Sequence, residues 1–201
     1  RTFEVAKRVQ ESGLVVGLLS TAGGLVAARE RGFSPDVTVE APVIPVGPRY
    51  ETGMGNRALN YAWTSVTGTV GGLSVRANVT VTDSDYPCDI FPALAHRGAH
   101  GSRWVACIHH RIEPSSGSAL RNASVLWQTF GWRLIARFAD TVLTYDSPMG
   151  EAVARELLAM GASQRRLKTM TNGVDFDLIG SVSPSEIEWD GLFVGGLRPD
   201  K

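Results

Sequence analysis

The feature that most constrains the fold of this chain is a regular alternation of short apolar runs with longer segments of helical spacing. The runs "LVVGLLS", "ANVTVTD", "RWVACIHH" and "DTVLTYD" recur along the chain, and the segments between them place apolar residues every three or four positions. Continuous apolar runs are typical of strands covered on both faces, and strands that alternate with helices predict a parallel sheet. The sequence therefore predicts an α/β fold with a Rossmann-like, doubly wound parallel sheet.

Several of the segments between the strands carry signals for the ends or the faces of helices. Ser147 is placed to cap a helix, with Pro148 in its first turn and Gly161 just past its end. A longer helix is predicted over residues 118–139, and another over residues 56–73. In the helix over residues 118–139, the apolar residues predicted to face inward are Ala123, Trp127, Phe130, Leu134 and Phe138. In the helix over residues 56–73, the apolar residues predicted to share one side are Leu59, Trp63, Val66 and Val70.

Composition limits the classes of function that the chain can have. At 201 residues and 43% hydrophobic content, the chain can bury a substantial core. Lys and Arg together number 20 and match the 20 Asp and Glu, so no excess of positive charge points to nucleic acid. Two cysteines, Cys88 and Cys107, imply no disulfide framework and favour a reducing compartment. No apolar run reaches the roughly 20 residues that span a bilayer, which favours a cytoplasmic protein.

Polar residues cluster directly after the predicted strands. In open parallel sheets, ligands bind beyond the carboxyl ends of the strands, so these residues are the candidates for a site. They are Ser20, residues 83–86, His109 and His110, residues 145–147, and residues 172–175.

The histidine pair in "CIHHRIEP" follows a predicted buried strand. A histidine there can donate or accept hydrogen bonds near neutral pH, although such a pair can also do no more than finish the strand. Adjacent side chains on an extended backbone point apart and no third ligand has the usual spacing, which argues against a metal site. The chain has no G-x-S-x-G elbow, Walker loop or G-x-G-x-x-G, which argues against an α/β-hydrolase, an ordinary P-loop enzyme and a dehydrogenase.

Asp83 and Asp85 in "TDSDYPCD" have the D-x-D spacing that can hold a divalent metal against a nucleotide-sugar diphosphate. The same spacing arises by chance in a chain of this composition and occurs again at Asp175 and Asp177. A solvated strand end and a metal-dependent transferase are therefore both compatible with this pair.

The segment "KTMTNGVDFDLI" resembles the N-G-V-D signature of the retaining family 4 glycosyltransferases, which have the GT-B fold. The resemblance extends over residues 78–201 and includes the strand end "WVACIHH" and the long helix after it. It continues through "ADTVLTYDSPMGEAVARELLAMGASQRRLKTMTNGVD" to "LFVGGLRPDK". In this family, two Rossmann-like domains face each other across a cleft, and the N-terminal one binds the acceptor.

The resemblance implies that residues 1–180 form the acceptor-side domain, and that residues 181–201 are a linker and the first strand and loop of the donor domain. The chain is then a fragment of an enzyme that transfers a sugar from a nucleotide-sugar donor with retention of anomeric configuration. Such enzymes need no metal cofactor, and the leaving diphosphate assists attack on the same face of the sugar. The fragment alone is expected to be inactive.

The donor-binding residues implied by the resemblance lie in the last thirty positions. Lys201 matches the family's diphosphate-binding lysine. The usual arginine position, directly after the first glycine, holds Gly196, and Arg198 stands two residues later. Asn172 and Gly173, at the turn of the signature, are expected to approach the donor.

The catalytic residue implied by the resemblance is His109, which matches the strand-end histidine that contacts the donor sugar near the reacting carbon. Its neighbour His110 is expected to be structural or to face the acceptor. Ser84, Asp85 and Ser147 are expected to line the cleft, since each follows a predicted strand.

The expected partners are a nucleotide-sugar and a carbohydrate, lipid-linked or small-molecule acceptor, with no nucleic acid. A peripheral membrane contact stays open, because Arg121, Arg133 and Arg137 lie beside Trp127 and Trp132 in the long helix, although an inward stripe predicts core packing instead. Two other functions also stay open: a metal-dependent GT-A-type transferase that uses the D-x-D pair, and a non-catalytic Rossmann-like binding module.

Overall fold

The computed structural model of the chain describes residues 2–42, 54–114 and 119–171, in which helices and strands alternate as predicted. The helices are α1 (Thr2–Glu11), α2 (Ala22–Glu30), α3 (Met54–Leu73), α4 (Pro87–His100), α5 (Ala119–Phe138) and α6 (Pro148–Ala159). The strands are β1 (Gly17–Ser20), β2 (Val37–Glu40), β3 (Val79–Thr82), β4 (Arg103–Cys107), β5 (Thr141–Tyr145) and β6 (Leu167–Met170), with a 3-10 turn at Gln164–Arg166.

All pairs of strands in the described residues are parallel, which confirms the α/β class. The strands form two sheets rather than the single predicted one: β1 pairs with β2, and β3, β4, β5 and β6 pair in chain order. The division falls at α3, because this helix connects two strands that do not pair. Strand β3 accordingly pairs with β4 and with no other described strand.

The register of the larger sheet brings the carboxyl ends of its strands to one edge. Thr82 is level with Ala106, and Cys107 is level with Leu143. Because parallel strands all run in the same direction, the loops that follow β3, β4 and β5 emerge side by side at this edge. The candidate residues that follow these three strands are therefore neighbours in space.

The main hydrophobic core belongs to the larger sheet and to the helices α4, α5 and α6. Trp104 on β4 is fully buried, and its indole N–H donates to Thr82 Oγ1 over 3.1 Å. The other large side chains of this core are Ile90, Ile108, Trp132, Ile135, Val142, Val153 and Leu157. Burial of this much apolar surface is the main favourable term in folding, so this half of the chain supplies most of the packing.

The inward face of α5 differs from the predicted one. Trp127, Phe130 and Phe138 are 47%, 44% and 39% exposed, and of the predicted stripe Leu134 packs against the core. The residues of α5 that are buried are Gln128, Gly131, Trp132, Ile135 and Ala136, and Ala139 just past its end is buried too. The predicted stripe is displaced by about one position from the buried face, which includes the polar residue Gln128.

Helix α3 also turns its apolar side chains outward. Leu59, Trp63, Val66 and Val70 share one side as predicted, and all four are between 43% and 67% exposed. The opposite side carries glycines that permit close packing. A Cβ atom at Gly71 would lie 2.9 Å from Val39 Cγ1, and one at Gly68 would lie 3.3 Å from Pro92 Cγ. Backbone approach therefore fixes α3 against β2 and α4.

Helix α6 has the ends that the sequence predicts. The side chain of Ser147 accepts a hydrogen bond of 3.1 Å from the Gly150 N–H, which satisfies a donor of the first turn. Pro148 opens the helix, and Gly161 follows its end with φ at 96°. No helix of the described ranges combines the length and apolarity needed to cross a bilayer.

Candidate functional site

The candidate site lies where the loops after β3, β4 and β5 meet. His109 is its centre, two residues beyond the end of β4. Its ring lies between the loop after β3, which begins at Asp83, and the last residue of β5, Tyr145. The predicted position of His109, at the carboxyl edge of a parallel sheet, is confirmed.

Both ring nitrogens of His109 are hydrogen bonded in the structure. Nε2 contacts the carbonyl oxygen of Asp83 and lies 3.3 Å from its carboxylate Oδ1. Nδ1 lies 2.7 Å from the hydroxyl of Tyr145. Because Nε2 faces two acceptors, it must carry a proton, and in the neutral ring Nδ1 then accepts from the Tyr145 hydroxyl. The two partners together select one tautomer and one orientation of the ring.

The two partners of His109 differ in their exposure to solvent. The Asp83 side chain is 53% exposed and that of His109 is 33% exposed. Tyr145 is buried, and its ring centroid lies 5.2 Å from that of His109. The ring is therefore held by buried Tyr145 at Nδ1 and by the more exposed Asp83 at Nε2.

Tyr145 is positioned by close packing of its backbone against α6. A Cβ atom at Gly150 would overlap with the carbonyl oxygen of Tyr145, so only glycine fits there without a shift of the helix. The same carbonyl accepts a hydrogen bond of 2.9 Å from the Ser147 N–H. Ser147, predicted to line the cleft, thus acts in the structure as the cap of α6 beside the site.

Asp85 has surroundings quite unlike those of Asp83. It is 5% exposed, and its Oδ2 accepts from Gln128 Nε2 at 2.7 Å and from Trp132 Nε1 at 2.6 Å. Two donors on one oxygen satisfy this carboxylate within the protein. The two carboxylates of the D-x-D pair are therefore engaged by different groups, one in the core and one at the surface beside His109.

Gln128 connects two of the loops that form the site. Its Nε2 donates to Asp85 and also to the His110 carbonyl oxygen at 3.0 Å. Its Oε1 accepts from the Ile112 N–H at 2.8 Å. Gly131 allows this, because α5 approaches so closely that a Cβ there would lie 3.1 Å from the Asp85 carbonyl oxygen. The backbone after His109 is thereby fixed to the loop after β3.

Ser84 is turned toward the start of α4. Its hydroxyl donates to Asp89 Oδ2 and accepts from the Tyr86 N–H at 3.3 Å. Burial raises the pKa of Asp89 above its ordinary value, and the hydrogen bond from Ser84 opposes this effect. Ser84 is therefore occupied in shaping this loop.

Neither cysteine is prepared for nucleophilic chemistry. Burial, assisted by the charge of Asp89, raises the pKa of Cys88 to about 12. Burial, assisted by Asp83, raises the pKa of Cys107 to about 11. A thiol with such a pKa carries almost no thiolate near neutral pH, so neither cysteine is activated as a nucleophile in this structure.

The structure brings some of the predicted site residues together, and others lie outside the residues that it describes. His109 and the loops holding Ser84, Asp85 and Ser147 converge, and His110 is exposed and contributes its carbonyl. Asn172, Gly173, Arg198 and Lys201 are among those that lie outside the described residues. Within the described ranges, no three His, Cys, Asp or Glu side chains form a group that could hold a metal ion.

Sequence reasoning missed the roles of Tyr145 and Gln128. Tyr145 closes a predicted strand at the right edge, so its position could have suggested a contact with His109. Gln128 carries no such signal, because its partner Asp85 is 43 positions away in the sequence.

No model of a protein family matches the chain, and no curated protein matches it.

Proposed function

We propose that this chain is the acceptor-side part of a retaining glycosyltransferase with the GT-B fold, and that His109 contacts the donor sugar at the reacting carbon. The observation that supports this most is the ring of His109, held in one orientation at the carboxyl edge of a parallel sheet by Asp83 and Tyr145. Ligands of open parallel sheets bind at this edge. The motif resemblance to family 4 supplies the reaction.

In the proposed reaction, His109 acts by position and polarity. Tyr145 fixes the ring from the buried side. The Nε2–H, which is directed at Asp83 in this structure, is the group that would donate a hydrogen bond to a sugar hydroxyl. An oriented donor of this kind stabilises charge that develops in the transition state. Lys201 and Arg198 are proposed to neutralise the leaving diphosphate, and Asn172 and Gly173 to approach the donor from the turn of the signature.

The metal-dependent alternative is less well supported. A D-x-D metal site needs both carboxylates to turn toward the same ion. The Asp85 carboxylate is buried and accepts from Gln128 and Trp132, so it would have to leave two hydrogen bonds to bind an ion at the surface. We therefore propose a reaction without a resident metal, and activity that persists in the presence of a chelator tests this directly.

The proposal predicts a contrast between the two adjacent histidines. In the polypeptide encoded by the complete reading frame, His109→Ala should lower kcat by about 10²- to 10³-fold, as expected for the loss of one oriented donor. His110→Ala is the matched control and should cost much less, because its backbone carbonyl makes the contact with Gln128. Equal and small effects of both substitutions would contradict a catalytic role for His109.

A second experiment separates the transferase from a binding module that is complete in itself. Because most of the donor site is proposed to lie in a second domain, residues 1–201 alone should transfer no sugar and bind no nucleotide-sugar tightly. Calorimetric titration of the isolated chain with a panel of UDP- and GDP-sugars measures this. Micromolar binding of any of them would overturn the proposed division of the site.

A further inference from the structure

The outward face of α5 exposes an unusual group of apolar side chains. Leu126 is 73% exposed, Trp127 47% and Phe130 44%. They form an ordered aromatic cluster, since the rings of Trp127 and Phe130 stack with centroids 5.6 Å apart and Phe91 of α4 meets Trp127 edge-on at 6.3 Å. Contiguous exposed apolar side chains of this kind mark an interaction surface.

The same face of α5 becomes basic toward the end of the helix. Leu126, Phe130, Arg133 and Arg137 are spaced at four, three and four residues, so they lie along one line of the helix. Arg133 and Arg137 are both exposed. The helix contains a third arginine, Arg121, and no Asp or Glu. The line is therefore apolar at one end and positively charged at the other.

A cavity of about 600 Å³ opens at the basic end of this line, and its lining includes Arg133, Arg137 and Arg166. Arg166 donates to the carbonyl oxygens of Ala136 at 2.7 Å and Ala139 at 2.8 Å, at the end of α5. These carbonyls form the negative end of the helix dipole, and Arg166 compensates them. Arg133 and Arg137, whose guanidinium lies over the Phe138 ring at 5.5 Å, supply the remaining positive charge of the cavity.

We propose that the outward face of α5 docks on the surface of a bilayer that contains anionic lipids. Leu126, Trp127 and Phe130 enter the interface between headgroups and acyl chains, and Arg133 and Arg137 contact lipid phosphates at the cavity. The charge of the whole chain is balanced, so the attraction is local to this face. Interfacial helices combine aromatic and aliphatic side chains with arginine in this way.

A bilayer fits this face best because exposed apolar side chains and arginines lie on the same line of α5. A soluble phosphate would need the arginines and gain nothing from exposed Trp127 and Phe130. A second copy of this chain would meet the same positive charge on α5 and be repelled. The proposal does not depend on the transferase reaction, because it concerns a helix face and not the edge that holds His109.

Helix α3 provides a matched comparison. Trp63 is 43% exposed, close to the value for Trp127, and lies beside exposed Val66 and Val70. However, residues 58–73 contain no charged side chain. If apolar exposure alone caused membrane binding, both helices would bind, whereas the proposal requires the helix in which arginines continue the line of exposed apolar side chains.

The test is flotation of the 201-residue chain with vesicles of phosphatidylcholine alone and with vesicles in which part of it is replaced by phosphatidylglycerol. Binding is expected to the anionic vesicles and to fall with added salt. Arg133→Gln with Arg137→Gln should weaken it by about 20- to 30-fold, and Trp127→Ser by about tenfold. The controls Trp63→Ser and Arg29→Gln with Arg155→Gln should change it by no more than about twofold.

Three outcomes would overturn the proposal: no binding to anionic vesicles by the folded chain, equal binding to neutral vesicles, or equal losses in the test and control variants. Sedimentation velocity gives a fourth, because a dimer that Trp127→Ser dissociates would identify a second copy as the occupant. Displacement by inorganic phosphate at concentrations that leave ionic strength unchanged would identify a soluble anion instead. Circular dichroism of each variant checks that it is folded. If the variant with both Arg133→Gln and Arg137→Gln does not fold, the loss of vesicle binding by Trp127→Ser tests the proposal instead.

Discussion

The two sheets are built from the same strand–helix–strand unit but differ in how deeply their strands are buried. In β4 and β5, three of five residues are buried, whereas β1 and β2 contain no fully buried residue. The core cluster of the described residues begins at Ile90 and lies wholly with the larger sheet. The same topological unit can therefore be buried to different depths, and the candidate site belongs to the sheet that is buried more deeply.

The largest expected effect contrasts the two sheets directly. Trp104→Ala should reduce the free energy of unfolding by about 3–5 kcal/mol, because it removes a fully buried indole and its bond to Thr82. Leu19→Ala in β1 should cost less, because Leu19 is only partly buried. Urea denaturation of both variants measures this. Equal losses would break the comparison.

The next effect concerns two carboxylates, one in each region. Asp85→Ala leaves buried Gln128 and Trp132 donors without an acceptor and should cost about 2–4 kcal/mol in the free energy of unfolding. Asp36→Ala removes a bond of 2.7 Å from the Val16 N–H at the surface and should cost much less. Denaturant titration at neutral pH decides. A greater loss for Asp36→Ala would place the more important polar contact in the smaller sheet.

A pair of helical glycines sharpens the comparison, because the two substitutions should have opposite signs. Gly131→Ala should destabilise the chain by about 1–3 kcal/mol, since its Cβ would lie 2.7 Å from Ile90 Cδ1. Gly23→Ala in α2 meets nothing within 4 Å and should stabilise it by up to about 1 kcal/mol. Thermal unfolding by circular dichroism reports both signs. Stabilisation by Gly131→Ala would mean that α5 packs more loosely than described.

The smallest effect is a dependence of stability on pH at Asp140. Burial alone would raise the pKa of this carboxyl, but hydrogen bonds from the Trp104 N–H and Arg97 outweigh it, and the pKa lies below its ordinary value of 3.8. The stabilisation is therefore present above the ordinary value and is lost as pH falls through the lowered one. Asp140→Asn should be less stable than the parent at pH 7, and the gap should close in acid. A gap that persists unchanged at low pH would contradict this.

Much of the fold could be predicted because its signals are local. The apolar runs gave the strands, and the cap at Ser147 and the glycine at Gly161 gave the ends of α6. The topology rule for parallel sheets placed His109 at the correct edge. These features depend on neighbouring residues in the sequence, where periodicity and capping chemistry operate.

The rest depends on partners far apart in the chain. The buried face of α5 could not be predicted from apolar spacing alone, because Gln128 is polar but is buried with a hydrogen bond to Asp85. Likewise the D-x-D spacing could not reveal that Asp83 and Asp85 take different partners. Each of these outcomes is decided by contacts across more than twenty positions, which a pattern of spacing does not encode.

The position of β3 affects how the chain behaves in concentrated solution. Its four residues, Val79–Thr82, carry no charge, and Val79 and Val81 are 49% and 59% exposed. Among the described strands it pairs on one edge only, and an edge without a strand partner can recruit a foreign strand. Val81→Lys would place a charge on this edge and so discourage pairing with a foreign strand. The neighbouring side chains are less suitable, because Thr80 contacts His96 and Thr82 contacts Trp104.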